Sequence, residues 1–177
     1  MTEHRDFLLP DALDDLARRV IEENRAAGRK VAVAESCTGG LVSAALTEIS
    51  GSSDVFETGF VTYSNAAKIS LLGVSAEVIE TFGSVSVATA WAMAQGVINR
   101  TDADVAVAIT GIAGPTGGSE MKPVGTVVFA RAERDGDPKQ IIADLREFGD
   151  LGRAGVRLQA ARCALELLLP SATAPSP

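Results

Sequence analysis

The stretch Val31-Ala32-Val33-Ala34-Glu35-Ser36-Cys37-Thr38-Gly39-Gly40-Leu41 decides the fold. Its first four residues form a short apolar run of the kind that makes a buried strand. Two glycines then open a helix of small residues over positions 41–49. The whole is a strand, glycine-rich turn, helix unit, and its neighbours extend the same alternation. Upstream, Leu13, Leu16, Ala17, Val20 and Ile21 fall at i, i+3, i+4, i+7 and i+8, one buried helical stripe. Asp11, Asp14 and Asp15 suit the positive end of that helix dipole, and Gly28 is a natural stop.

Downstream, residues 58–63 read as a second strand, and Ser64 or Asn65 can cap a helix carrying Lys68 and Leu71-Leu72. Helices are expected near 76–82 and 87–99, then a buried strand over 104–110. Strands over 124–131 and 139–147 flank a turn at Asp135-Gly136, as in an antiparallel pair. A final amphipathic helix is expected over 153–169. The pattern predicts a three-layer α/β/α sandwich with a mixed, mostly parallel sheet. Residues 1–170 read as one domain and the Ser/Ala/Pro-rich residues 171–177 as a disordered tail.

Composition limits the chemistry. A chain of 177 residues, 46% hydrophobic, is large and apolar enough for one real core. No apolar run approaches the roughly 18 residues of a membrane span, and the N-terminal segment lacks a signal-peptide core. Cys37 and Cys163 are too far apart in sequence to form a disulfide framework, so a reduced, cytoplasmic setting is expected. The net charge of -7 argues against nucleic-acid binding, though not against a small anion held by backbone amides. The single histidine, His4, argues against a Ser-His-Asp machine within one chain, and with two distant cysteines it makes no plausible Cys/His zinc ligand set. Catalysis would have to use Ser, Thr, Lys, Tyr or carboxylates.

Ser36 ends the first strand, where open α/β sheets place their ligand crevice. The amides of Thr38, Gly39 and Gly40, at a helix start, could face a developing oxyanion. Against this stands a plainer reading, in which Ser36 or Thr38 only caps the helix. Glu35 is either a base or an exposed complement to the helix dipole. A serine without histidine needs another base, and Lys68 with Tyr63 could supply it. The first turn of a helix and partial burial would both push the lysine pKa down from about 10.4. The competing view makes them a surface lysine and an interfacial tyrosine. The loop Thr110-Gly111-Ile112-Ala113-Gly114 and onward to Gly118 reads as an anion or nucleotide cradle, or as a long turn. Arg153 and Arg157 could pair with a phosphate or simply be solvated. Cys37 is a rival nucleophile or a small buried residue.

Three strings carry a family resemblance: residues 34–40, then Gly59-Phe60-Val61-Thr62-Tyr63-Ser64-Asn65 with Lys68, then Gly111-Ile112-Ala113-Gly114-Pro115. Gly117-Gly118-Ser119 and Lys122-Pro123-Val124-Gly125-Thr126 follow. Together they resemble the CinA C-terminal domain family, whose enzymatic members are nicotinamide-nucleotide amidases. The resemblance covers about residues 13–168 and reads as the stand-alone form. It implies hydrolysis of nicotinamide mononucleotide to nicotinate mononucleotide and ammonia. Ser36 would be the nucleophile, with Lys68 and Tyr63 as its partners, and the ligand loops would be Thr38–Gly40 and Thr110–Gly114. It implies no metal or organic cofactor, a small nucleotide as substrate, no nucleic acid or membrane partner, and a homodimer or larger homo-oligomer. Departures are Met121, where many relatives are acidic, and Gly149-Asp150-Leu151-Gly152-Arg153, where relatives often read Gly-Asp-Arg. The alternative is a non-catalytic nucleotide-binding or competence-associated module with the same pocket.

Overall fold

A computed structural model describes residues 8–137, 140 and 142–171. Its helices are α1 (Asp11–Ala26), α2 (Leu41–Glu48), α3 (Asn65–Leu72), α4 (Ala76–Phe82), α5 (Val87–Ile98) and α6 (Gly152–Leu168). Its strands are β1 (Val31–Glu35), β2 (Phe56–Val61), β3 (Val105–Gly111), β4 (Thr126–Glu133) and β5 (Ile142–Glu147). They form one five-stranded sheet in the order β2-β1-β3-β4-β5. β1 pairs in parallel with β2 and β3, while β4 runs antiparallel to both β3 and β5. Only β4 therefore opposes the common strand direction.

The two main central strands owe their burial to an alternation of size rather than of polarity. In β1, Val31 and Val33 face one side, while Ala32 and Ala34 face the other. In β3, Val105, Val107 and Ile109 join the first side, and Ala106 and Ala108 the second. The large residues meet α1, α2 and α6 through Leu13, Val20, Leu46, Val156 and Leu165. The alanines let the opposite layer come close, where Ala90, Met93, Ala94 and Val97 of α5 pack on them. Period-2 geometry makes the two faces distinct although all of these valines, alanines and Ile109 are apolar.

Two buried polar side chains meet the end of α6. Arg131 on β4, almost wholly buried, donates from Nη1 to the carbonyls of Leu167 (2.7 Å) and Leu169 (2.9 Å) at the end of α6. Asn24 Nδ2 ties α1 to the same end through the Leu168 carbonyl at 2.9 Å. These bonds satisfy carbonyls that the helix itself leaves open.

Several element bounds differ from the sequence expectation by about two residues. β2 runs over Phe56–Val61, so Tyr63 lies just beyond it, and β4 starts at Thr126, beyond the turn around Gly125. Register with the neighbouring strands, which one segment read alone does not contain, sets these ends. Part of the expected strand before Ile142 and most of the expected tail lie outside the described residues.

The carrier of Lys68, α3, is seated through a close backbone approach. A Cβ built on Gly96 of α5 would sit 2.2 Å from the Leu72 carbonyl oxygen. Alanine usually stabilises a helix interior relative to glycine by about 1 kcal/mol. At Gly96 the sign should reverse. We expect Gly96→Ala to cost about 1–3 kcal/mol in urea denaturation through forced displacement of α3. A rise in the urea midpoint would refute the contact.

Candidate active site

The carboxyl ends of β2, β1 and β3 meet at a point where the chain changes faces. The link after β1 passes through α2 on one side, and the link after β2 passes through α3, α4 and α5 on the other. Such a switch point opens a crevice outside the strand ends. Here it is a cavity of about 270 Å³. Ser36, Tyr63, Lys68, Thr110, Gly111, Ile112, Ala113, Gly114 and Arg153 line it. Among the described residues, Lys68 and Arg153 are its only charged lining residues, and no carboxylate lines it.

Ser36 follows β1, and its amide donates to the Ile109 carbonyl of β3 at 2.9 Å. Lys68 sits on α3, one turn past Ser64, whose hydroxyl caps that helix at the Ala67 amide. The lysine is about 1% exposed. Its Nζ lies 3.1 Å from Ser36 Oγ, 3.0 Å from the Thr62 carbonyl and 3.4 Å from the Tyr63 carbonyl. As an ammonium, Lys68 can donate to all three oxygens. As a neutral amine it keeps two N–H donors for the carbonyls, which leaves its lone pair for the Ser36 hydroxyl proton. Burial pushes the Lys68 pKa down, with the neighbouring Cys37 opposing it.

The turn after Ser36 differs from expectation. The Gly39 amide donates to the Ser36 carbonyl at 3.0 Å, and the Gly40 amide donates to Glu35 Oε2 at 3.0 Å. Those two donors are thus already engaged and do not form an oxyanion hole. Thr38 is buried, and Thr38, Gly39 and Gly40 lie off the cavity wall. Glu35 is fully buried rather than exposed. It acts on the helix start as a cap, which is the complement-to-dipole reading, and not as a base in the cavity.

Tyr63 lines the cavity and makes two contacts there. Its hydroxyl accepts from Arg153 Nη2 at 2.9 Å, while only its backbone carbonyl meets Lys68. Among the described residues the phenol has no direct hydrogen bond to Ser36 or Lys68. Arg153 is on the cavity wall and donates its Nη1 to the Gly114 carbonyl at 2.8 Å. Arg157 instead braces the turn through the Thr38 carbonyl at 2.9 Å and lies off the cavity wall. Burial raises the Cys37 thiol to about 11, so it is protonated at neutral pH and the rival nucleophile falls away.

In the glycine loop, Ile112 is tied to β4 by its amide to the Thr126 carbonyl at 2.8 Å. The amides of Ala113 and Gly114 have no acceptor among the described residues. Thr110 is anchored by its hydroxyl to the Ser84 carbonyl at 2.7 Å. Ser84 and Val85 also line the cavity, and sequence reasoning missed both. Their one signal was the Gly83-Ser84-Val85-Ser86 string ahead of α5, which marks a cap and says nothing of a distant loop.

Fold and site together define a three-layer α/β protein with a serine–lysine pair at the carboxyl edge of its sheet. Residues 13–172 match the CinA C-terminal domain. The chain belongs to that family. It is 49% identical over 158 residues to Nicotinamide-nucleotide amidohydrolase PncC of Enterobacter agglomerans, covering 89% of this chain and 93% of that protein. A CinA-like protein of Mycobacterium sp. strain JLS is 51% identical over 80% of this chain but only 33% of its own length. The chain thus spans about a third of that longer relative. Its structure resembles the competence/damage inducible protein CihA of Agrobacterium tumefaciens, with TM-score 0.87, 50% identity and 92% and 96% of the two chains covered. A CinA superfamily protein of Escherichia coli matches with TM-score 0.82 at 35% identity, over 93% and 94% of the chains.

The lowered Lys68 pKa has a consequence for stability. Between the folded and ordinary lysine values the unfolded chain binds the proton and the folded chain does not, so this group adds stability as pH rises. The gain is complete above the ordinary value near 10.5 and is lost as pH falls through the folded value. Lys68→Met should therefore be most stable relative to the parent at neutral pH. Denaturation at stepped pH should show that advantage shrinking toward alkaline pH, and a constant difference would contradict the burial of the amine.

Proposed function

We propose that this protein is an amidohydrolase that converts nicotinamide mononucleotide and water to nicotinate mononucleotide and ammonia. The observation that carries the reading is the 3.1 Å contact between Ser36 Oγ and a buried Lys68 amine whose other hydrogen-bond partners, among the described residues, are backbone carbonyls. The high identity to a relative named for this activity supports the substrate. Arg153 on the cavity wall, in a chain of net charge -7, suits the phosphate of an anionic nucleotide.

Neutral Lys68 takes the Ser36 proton directly as the oxygen attacks the carboxamide carbon. The Ala113 and Gly114 amides, which have no acceptor among the described residues, are the donors we assign to the resulting oxyanion and to the nucleotide. Lys68 returns its proton to the leaving nitrogen, and the C–N bond breaks to release ammonia. Water then attacks the acyl ester, giving its proton to Lys68, and Lys68 passes that proton to Ser36 Oγ as the C–O bond breaks to free the acid. Tyr63 serves through its carbonyl on Lys68 and, with its hydroxyl, fixes Arg153 beside the substrate phosphate. Thr110, Gly111 and Ile112 shape the wall. The same proposal includes a homo-oligomer working in the cytoplasm, supported by the family resemblance and by two free buried cysteines.

Ammonia release from nicotinamide mononucleotide tests the reading. Ser36→Ala should lower kcat by at least about 10³-fold and Lys68→Met by about 10²–10⁴-fold. In the parent, kcat/KM should fall about tenfold per pH unit below the depressed Lys68 pKa, because a protonated amine cannot act as base. Full activity in either variant would reject the assignment. Tight nucleotide binding with no ammonia from the parent would favour the non-catalytic module.

A further inference from the structure

Glu35 is a carboxylate buried beside the proposed nucleophile, yet it plays no part in the steps above. It is fully buried, and four donors converge on it. Oε2 accepts from the amides of Gly40 (3.0 Å) and Val42 (3.1 Å). Oε1 accepts from the amide (2.8 Å) and hydroxyl (2.7 Å) of Ser43. The same residue is fixed in the sheet, where its carbonyl accepts from the Thr62 amide at 2.9 Å. One residue therefore holds both ends of the turn that starts at Ser36. An anion from within the chain fills the start of α2, where a ligand anion could otherwise bind.

A second, separate observation concerns what makes room for this arrangement. A Cβ built on Gly59 of β2 would lie 2.2 Å from Ser43 Oγ and 3.2 Å from Ser43 Cβ. Only glycine at position 59 lets the Ser43 hydroxyl reach Glu35 undisturbed.

We propose that Glu35 is a positioning residue for Ser36, acting through the turn it closes, with Ser43 and Gly59 completing its setting. The inference rests on Ser36 being the nucleophile. The Ser36 hydroxyl must meet an amine carried on a different helix, so a small rotation of the turn breaks their 3.1 Å contact. A misplacement of about 1 Å can cost on the order of 10²-fold in rate. Glutamine cannot replace Glu35 here. Whichever way its amide turns, the NH2 group meets one of the two donor pairs.

The experiment compares the parent, Ser36→Ala, Glu35→Gln, Gly59→Ala and the Glu35→Gln/Gly59→Ala double variant. Ammonia release from nicotinamide mononucleotide is read at a temperature where circular dichroism shows each protein folded. Glu35→Gln should lose about 30-fold in kcat with KM within about twofold, the split expected of lost alignment and not of lost binding. Gly59→Ala should lose about tenfold in kcat, and the double variant should fall no lower than about threefold below Glu35→Gln, because both act on one contact network. A kcat within about twofold of the parent in folded Glu35→Gln, or a loss confined to KM, overturns the inference whatever the change in melting temperature. If Glu35→Gln does not fold, an unchanged kcat in Gly59→Ala overturns it instead. Loss of activity in Ser36→Ala beside an unaffected Glu35→Gln sinks the inference alone. Full activity in Ser36→Ala sinks the nucleophile reading and this inference with it.

Discussion

A buried lysine amine at the cavity wall, hydrogen-bonded among the described residues to two carbonyl oxygens and one serine hydroxyl, is the constraint on which the site depends. Water would hold the amine charged, and a charged amine cannot accept a proton. The carbonyls of Thr62 and Tyr63 can be supplied only by the strand end and the link into α3, because that is where the chain turns from the sheet to the helix. Ser36 can meet the amine only because β1 lies beside β2 in parallel register, which brings Glu35 level with Val61. Loss of either the parallel pairing or the α3 start would leave an amine and an alcohol with no reason to meet.

Much of this arrangement could be read along the chain. The apolar runs at 31–34 and 104–110 gave central strands, and the helical stripe from Leu13 to Ile21 gave a covering helix. Ser36 and Lys68 stood out because a chain with one histidine needs another base. Side-chain direction could not be read in the same way. Glu35 precedes the turn in both readings, and only the paired neighbours of β1 dictate that its side chain turns inward to the helix start. Tyr63 lies next to the site in sequence, but its ring faces Arg153, a residue brought over by the last helix. Gly39 and Gly40 look like free donors until the acceptors already bound to them are seen. Local strings report which groups are present, and long-range pairing decides which of their atoms are spare.

The alternation of valine and alanine in β1 and β3 shows how a wholly buried strand can still carry two different instructions. Bulk on one face fills the space under α1, α2 and α6, and lack of bulk on the other admits α5 at short range. A hydropathy reading treats both residue types alike, so it finds the strand but not the unequal layers. The two layers then divide the labour. One layer carries the turn after Ser36, and the other carries Lys68.

The helix that bears Lys68 is eight residues long. A segment of that length has little tendency to stay helical in water. Its shape is borrowed from α5, through the place where the missing side chain of Gly96 admits the Leu72 carbonyl. Warming could free this short segment while the sheet still stands. The protein would then lose the proton acceptor we propose before it lost its shape, and heat inactivation would precede melting.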